Sequence, residues 1–150
     1  MNGFQRKKMS EKVQIILFKK QSNSLEVLLL QTNKTRGLFW QNITGGVESY
    51  DQSLIKTAAR EISEETSIVV PVKSINSLEY SYQYFDQNRQ INYTEHLFYA
   101  IVKNTSKVII SLEHNDFKWV PAKEIRENDF HFKSNFDGFC RAYQVLRDKE

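Results

Sequence analysis

The chain has 150 residues, 40% of them hydrophobic and 13% aromatic, which suits one folded domain with a single sizeable core. With 26% charged residues, 5 Gly and 2 Pro, the composition excludes disordered, collagen-like and low-complexity chains. The net charge of +3 is small and no Lys/Arg stripe accompanies it, so we do not expect nucleic acid as the main partner.

The sequence also predicts where the protein resides. No run approaches the roughly 18 uninterrupted apolar residues that a membrane span requires, so we expect no membrane partner. The single cysteine, Cys140, cannot form an internal disulfide, which is compatible with a reducing compartment. We therefore expect a cytoplasmic protein.

The first third of the chain predicts a tail, a hairpin and a glycine loop. We expect residues 1–11 to form a flexible N-terminal tail and residues 12–150 to form one domain. Runs of Val, Ile and Leu at 12–18 and 25–31 flank a turn cluster and predict two buried strands. Residues 32–42 are mostly polar, and residues 43–47 contain Gly45 and Gly46, which let a loop bend tightly or approach a ligand.

The remaining elements alternate between strands and helices. Apolar residues recur at helical spacing over 52–67, with Ser53 as the N-cap. Strands are predicted at 78–85, 94–102, 107–110 and 117–120, a short helix at 121–127, and a final helix whose apolar stripe includes Cys140 as a small core residue. The order predicts a single α/β domain.

Three acidic residues in the first predicted helix are candidate metal ligands. At about 100° per residue, Glu61, Glu64 and Glu65 lie in one arc, and Glu65 falls within the apolar sector of the helix. Acidic clusters are usually solvated faces, but partial burial forces protonation, pairing with cations or metal binding. Clustered carboxylates without Cys or His suit a hard divalent ion, Mg²⁺ or Mn²⁺.

The glycines that precede this helix point to a phosphorylated substrate. A Gly-Gly segment offers a backbone carbonyl as a further hard ligand, and free amides near a helix start favour phosphate. Because Mg²⁺ bound by a few carboxylates completes its shell with water and phosphate oxygens, metal and phosphate would share one site.

Residues 46–68 resemble the Nudix box, G-x5-E-x7-R-E-U-x-E-E-x-G-U with U apolar. The positions that match are Gly46, Arg60, Glu61, Ile62, Glu64, Glu65 and Ile68. Two positions depart from it, since Gln52 stands in place of the first Glu and Ser67 in place of the last Gly. Alignment from Gly45 instead places Asp51 at the acidic position, with one extra residue before Arg60.

The resemblance continues outside the box. The segments 39–45, Glu113-His114 and Lys118-Trp119 are similar to the MutT-type branch that includes dihydroneopterin triphosphate and dATP pyrophosphohydrolases. The resemblance implies an α/β/α sandwich with a mixed sheet. It is also compatible with a homodimer.

The resemblance assigns the metal ligands by position. It places them on Glu61 and Glu65, with Glu64 near a second ion and Glu113 completing the site from a later loop. A carbonyl of Gly45 or Gly46 would be a further ligand.

Other residues would orient the site or contact substrate. Arg60 would hold the carboxylates and the loop through its planar fork, and Glu61 or Glu64 would deprotonate the attacking water. Thr44 matches a substrate-contact position, although a strand-end threonine explains it equally well. Trp40 could stack on a planar ring, and Arg36 could meet a triphosphate.

These assignments predict a Mg²⁺-dependent hydrolase of a nucleoside or pterin triphosphate that releases pyrophosphate and a monophosphate. One alternative is a Nudix hydrolase for ADP-ribose, a dinucleoside polyphosphate or an oxidised nucleotide. The other, motivated by Gln52, is a nucleotide-binding module that has lost turnover.

Overall fold

A computed structural model describes residues 8–149, which form a seven-stranded mixed sheet between two helices. The strands are β1 (Lys8–Gln21), β2 (Ser24–Thr32), β3 (Trp40–Gln41), β4 (Ile43–Gly46), β5 (Ile75–Asp86), β6 (Ile91–Val102) and β7 (His114–Pro121). Five of them lie in the order β3-β2-β1-β6-β5, while β4 pairs with β1 and β7 with β2. Strands β1 and β6 are parallel, and the other pairs are antiparallel.

The two helices are α1 (Leu54–Thr66) and α2 (Lys133–Asp148). Helix α1 begins at Ser53, whose hydroxyl accepts from the Lys56 amide as the sequence predicts. It ends at Ser67, which has a φ of 65°. The family pattern has glycine at this position, and the left-handed conformation explains why glycine suits it.

Alternation along the strands divides the apolar side chains between two cores. The core on the α1 side includes Val13, Ile15 and Ile62. The core on the α2 side includes Ile16, Phe18 and Phe139. Because successive residues of β1 face opposite sides, this one strand contributes to both cores. The predicted α/β/α sandwich with a mixed sheet is confirmed.

Several boundaries differ from the prediction. Strand β1 begins at Lys8, since residues 8–11 pair with β6, so these four residues belong to the sheet and not to a tail. Residues 1–7 lie outside the described part of the chain. The glycine loop predicted at 43–47 is mostly strand β4, which pairs with β1.

Two further predictions are wrong because the local side-chain pattern does not show how these segments pack in the folded protein. Residues 107–110 are not a strand. Their alternation arises because Val108 and Ile110 pack on the α1-side core, while the Ile109 amide donates to Thr66 O. Cys140 is exposed and not a core residue. Neither helix in residues 8–149 has the length and apolar content that crossing a membrane would require.

Candidate active site

An arginine on α1 ties the loop before the helix to the helix itself. Arg60 Nε donates to Asp51 Oδ1 at 2.9 Å, and Nη2 donates to Asp51 Oδ2 at 2.8 Å. The Asp51 side chain is only 4% exposed. This two-point contact with the guanidinium holds the pKa of Asp51 well below its usual range, and the amide of Glu48 and the hydroxyl of Thr57 also donate to it.

The same guanidinium reaches the backbone of β4 and two of the predicted metal ligands. Nη2 donates to Gly46 O at 2.9 Å, while Nη1 donates to Glu61 Oε1 at 3.0 Å and to Glu64 Oε2 at 2.9 Å. Arg60 therefore connects the loop, the end of β4 and the acidic face of α1.

Loss of this anchor should destabilise the protein in a pH-dependent way. We expect Asp51→Asn to lower the free energy of unfolding by about 3 kcal/mol, because it leaves a largely buried guanidinium without its main partner. The folded state binds the Asp51 proton less tightly than the unfolded chain does. The contribution is therefore complete above the ordinary pKa of 3.8 and is lost as pH falls below it.

Urea unfolding of the wild type and Asp51→Asn at a series of pH values checks this prediction. The difference between the two proteins should be constant near neutrality and should shrink in acid. Asp137→Asn, at an exposed position on α2, is the control and should change stability little at any pH. A difference that grows in acid would contradict the assignment.

Gly45 lies directly against the acidic face of α1. A Cβ placed on Gly45 would lie 2.0 Å from Glu61 Cδ and 2.3 Å from each carboxylate oxygen, whereas one on Gly46 would meet nothing within 4 Å. Together with the Asp51 contact to Arg60, this geometry favours the alignment from Gly45, with one residue inserted before Arg60.

The helix buries two of its three acids. Glu65 is 3% and Glu61 9% exposed, whereas the side chain of Glu64 is 54% exposed. The helical position of Glu65 predicted its burial, and this is confirmed. Burial raises the pKa of Glu61 well above its ordinary 4.5, and the adjacent charge of Glu65 raises it further. Burial is likewise the main reason that the pKa of Glu65 is raised.

Glu65 has a hydrogen-bond donor on one oxygen and none on the other. His114 Nε2 lies 2.6 Å from Glu65 Oε1, and the imidazole side chain has no exposed surface. Burial lowers the pKa of His114. In the tautomer with its proton on Nε2, the ring donates to the charged Glu65 carboxylate. Glu65 Oε2 is buried and receives no hydrogen bond.

The donor set fits a hard divalent cation. Over residues 8–149 the His, Cys, Asp and Glu side chains form no group of three or more that could hold an ion as they stand. Glu61 and Glu64 accept from Arg60, and Glu65 accepts from His114. However, Glu61 and Glu65 are buried one helical turn apart, and Glu65 Oε2 has no hydrogen-bond partner. A hard divalent cation would offset the cost of burying their charged forms.

Two loops border this set of carboxylates. Glu113 is exposed, precedes β7 and lies near enough for its charge to raise the pKa of Glu65. Arg36 is exposed in a 3-10 turn (Lys34–Arg36), and its charge lowers that pKa. The loops are joined, since the Asn33 amide donates to Glu113 O at 3.1 Å.

The other predicted substrate contacts lie on β3 and β4. Thr44 is half-buried and pairs with Gln14 of β1. Trp40 has Lys118 Nζ 4.2 Å from its ring centroid. It lines a groove of about 360 Å³ on the α2 side, whose other lining residues are Phe39, Asn128, Asp129, Phe130 and His131.

Two residues gain contacts that the sequence alone does not predict. Asp51 stands at the acidic position only in the second of two alignments, and its contact with Arg60 favours that alignment. His114 belongs to a segment that resembles the family, but the sequence assigns it no role, and its contact with Glu65 comes from the structure. Neither Gln52, which is exposed, nor Ser67 contributes a carboxylate to the site.

Comparison with known proteins agrees with the geometry. The NUDIX domain model matches residues 10–137. Dihydroneopterin triphosphate diphosphatase of Haemophilus influenzae is 33% identical over 130 residues, which cover 80% of this chain and 79% of that protein.

Two solved structures share the fold. The E. coli dihydroneopterin triphosphate pyrophosphohydrolase aligns with a TM-score of 0.71 and 20% identity, over 89% of this chain and 95% of that one. The NUDIX domain of Shewanella oneidensis NrtR complexed with ADP ribose aligns with a TM-score of 0.74 and 21% identity, over 95% and 90%.

The family resemblance drawn from residues 46–68 is thus confirmed. Nudix hydrolases generally use divalent metals, in keeping with the all-oxygen donor set described above. Because the family model covers most of the chain and a diphosphatase is one third identical to it, this chain belongs to the NUDIX family and is a Nudix pyrophosphohydrolase.

Proposed function

We propose that the protein is a Mg²⁺-dependent hydrolase of a nucleoside triphosphate or a pterin triphosphate similar to dihydroneopterin triphosphate. The products would be a monophosphate and pyrophosphate. One observation carries the metal part of this proposal: Glu61 and Glu65 are buried together, with Glu65 Oε2 free of any donor. The substrate class rests on the activity named for the Haemophilus relative.

In this proposal Glu61 and Glu65 hold the first ion, and Glu64 and Glu113 supply exposed carboxylates beside it. A carbonyl of Gly45 or Gly46 would be a further ligand, and Gly46 O also accepts from Arg60. Mn²⁺ would substitute for Mg²⁺. The bound ion would neutralise phosphate oxygens and make a water more acidic.

Side chains of the protein would then accept the proton of the attacking water and orient the carboxylates. Glu64 is the exposed acid and Glu61 the buried one, and either can accept the proton of the attacking water. Arg60 keeps both acids on one side of the helix. Direct attack of water on phosphorus requires no covalent enzyme intermediate.

Substrate recognition would use the loop that contains Arg36 and the groove on the α2 side that Trp40 lines. Arg36 lies close enough to Glu65 for its charge to lower the pKa of that carboxyl, and its guanidinium would pair with the negative charge of a polyphosphate that the metal leaves unneutralised. Thr44 lies one residue before Gly45. Trp40 lines a groove whose volume is in the range of small-ligand sites, about 300–1,000 Å³.

The proposal includes a cytoplasmic enzyme with no membrane or nucleic-acid partner, and it admits a homodimer. A small soluble triphosphate needs neither of those partners. Light scattering of the purified chain measures the oligomeric state directly.

A substrate panel with Mg²⁺ and with Mn²⁺ tests the function. It would contain dihydroneopterin triphosphate, dATP, an oxidised nucleoside triphosphate, ADP-ribose and a dinucleoside polyphosphate, with products separated by chromatography. We expect the highest kcat/KM on one of the first two, with pyrophosphate as a product. Preference for ADP-ribose or a dinucleoside polyphosphate would replace this substrate class.

The panel also tests the loss of turnover that Gln52 suggested. Asp51 is an acidic partner of Arg60, and this contact supports an active enzyme despite Gln52. Absence of product throughout the panel, with nucleotides still raising the melting temperature, would support a binding module instead.

A further inference from the structure

His114 is a buried histidine beside the carboxylates. The proposed hydrolysis assigns it no chemical step. Its side chain has no exposed surface, so it cannot touch the substrate. Burial of a polar ring is unfavourable unless the ring is hydrogen-bonded, and His114 Nε2 lies 2.6 Å from Glu65 Oε1, to which its protonated tautomer donates. This hydrogen bond offsets part of the cost of burying the ring.

The consequence of this hydrogen bond falls on Glu65. It fixes one carboxylate oxygen and leaves Oε2 buried without a donor. Glu61 and Glu65 are buried one helical turn apart, and repulsion between their charged forms favours rotation of the Glu65 carboxylate away from Glu61. The imidazole opposes that rotation.

The backbone around His114 is shaped to aim this side chain. His114 is the first residue of β7 and pairs with Thr32 across a register shift between Gln31 and Thr32. Irregularities of this kind re-aim side chains next to functional sites. The His114 amide also donates to Ser111 O, which fixes the turn that delivers Glu113.

On these contacts, and resting on the proposed function, we infer that His114 is a positioning residue that holds Glu65 with Oε2 directed to the divalent ion. It acts through Glu65 and does not contact substrate. Hydrogen-bond partners of metal-binding carboxylates are typically worth about 10–100-fold in metal affinity.

Mn²⁺ titration of the purified full chain without substrate, followed by electron paramagnetic resonance, tests the inference. We expect His114→Leu to raise the Mn²⁺ Kd by about 10–100-fold. His114→Gln, whose amide can donate in place of Nε2, should recover most of the affinity. At saturating Mn²⁺, KM for substrate should not change. His96→Leu, which removes a histidine paired with Glu11 outside the site, is the matched control.

A double-mutant cycle with Glu65→Gln separates positioning from general packing. In that background His114→Leu should cause no further loss of Mn²⁺ affinity. A wild-type Kd in the leucine variant, equal losses for leucine and glutamine, or additive losses in the cycle would overturn the inference. If the leucine variant does not fold, His114→Asn, which is too short to reach Glu65, takes its place beside glutamine.

The outcomes for the inference and for the proposed function are distinct. A wild-type protein that binds Mn²⁺ as tightly as its His114 variants do would overturn the role of His114 and leave the hydrolase intact. A wild-type protein that binds no Mn²⁺ would overturn the metal site, and the role of His114 with it.

Discussion

Replacement of Glu65 by glutamine should lower kcat at least about 100-fold, because loss of an outer hydrogen-bond partner alone costs about 10–100-fold in affinity or activity. The fold should survive. Burial raises the pKa of Glu65, so its charged form opposes folding, and a neutral amide of the same shape removes that cost. The His114 donor still finds an oxygen acceptor in glutamine.

Two measurements check this prediction. Steady-state turnover in Mg²⁺ gives kcat, and urea unfolding without metal gives stability, which should equal or exceed that of the wild type. Glu124→Gln, at an exposed position after β7, should leave both unchanged. Wild-type turnover in the Glu65 variant would overturn the assignment of the site.

Gly45→Ala should be nearly as damaging to turnover, although it adds only a methyl group. The new Cβ would occupy the space of the Glu61 carboxylate, which would have to move. A misplacement of about 1 Å can cost about 100-fold in rate. Stability should change little, because the displaced atoms are the end of a flexible side chain and Gly45 does not have a positive φ.

Gly46→Ala is the matched comparison. Its Cβ would meet nothing within 4 Å, and the carbonyl that accepts from Arg60 remains. We expect a much smaller loss of kcat than for Gly45→Ala, with similar melting temperatures for the two. Equal losses would mean that the contact between Gly45 and Glu61 does not control the position of the carboxylate.

Periodicity predicted most of the secondary structure for a physical reason. The α1 stripe and the two long hairpins bury regular faces, and these faces have a period that a single sequence displays. The failure at 107–110 has the complementary cause, since Val108 and Ile110 cover the core from a segment that takes part in no strand pairing. Alternation of apolar and polar residues indicates that one face is buried, and a buried face does not require a strand.

The candidate site was predictable to the extent that it lies on one helix. The arc of Glu61, Glu64 and Glu65 follows from helical geometry alone. The contact of Gly45 with Glu61 depends on how β4 crosses α1, and the partnership of His114 with Glu65 joins residues 49 apart in sequence. Neither distance can be read from local pattern, because tertiary packing sets both.

The central position of β1 has a consequence for synthesis of the protein. This strand pairs with β2, β4 and β6, and the β6 partners lie roughly eighty residues further along the chain. Such distant pairing makes folding slow, because a long loop must close first. On the ribosome, the apolar centre of β1 therefore lacks its parallel neighbour until β6 has emerged. During that interval the nascent chain is a natural client for chaperones.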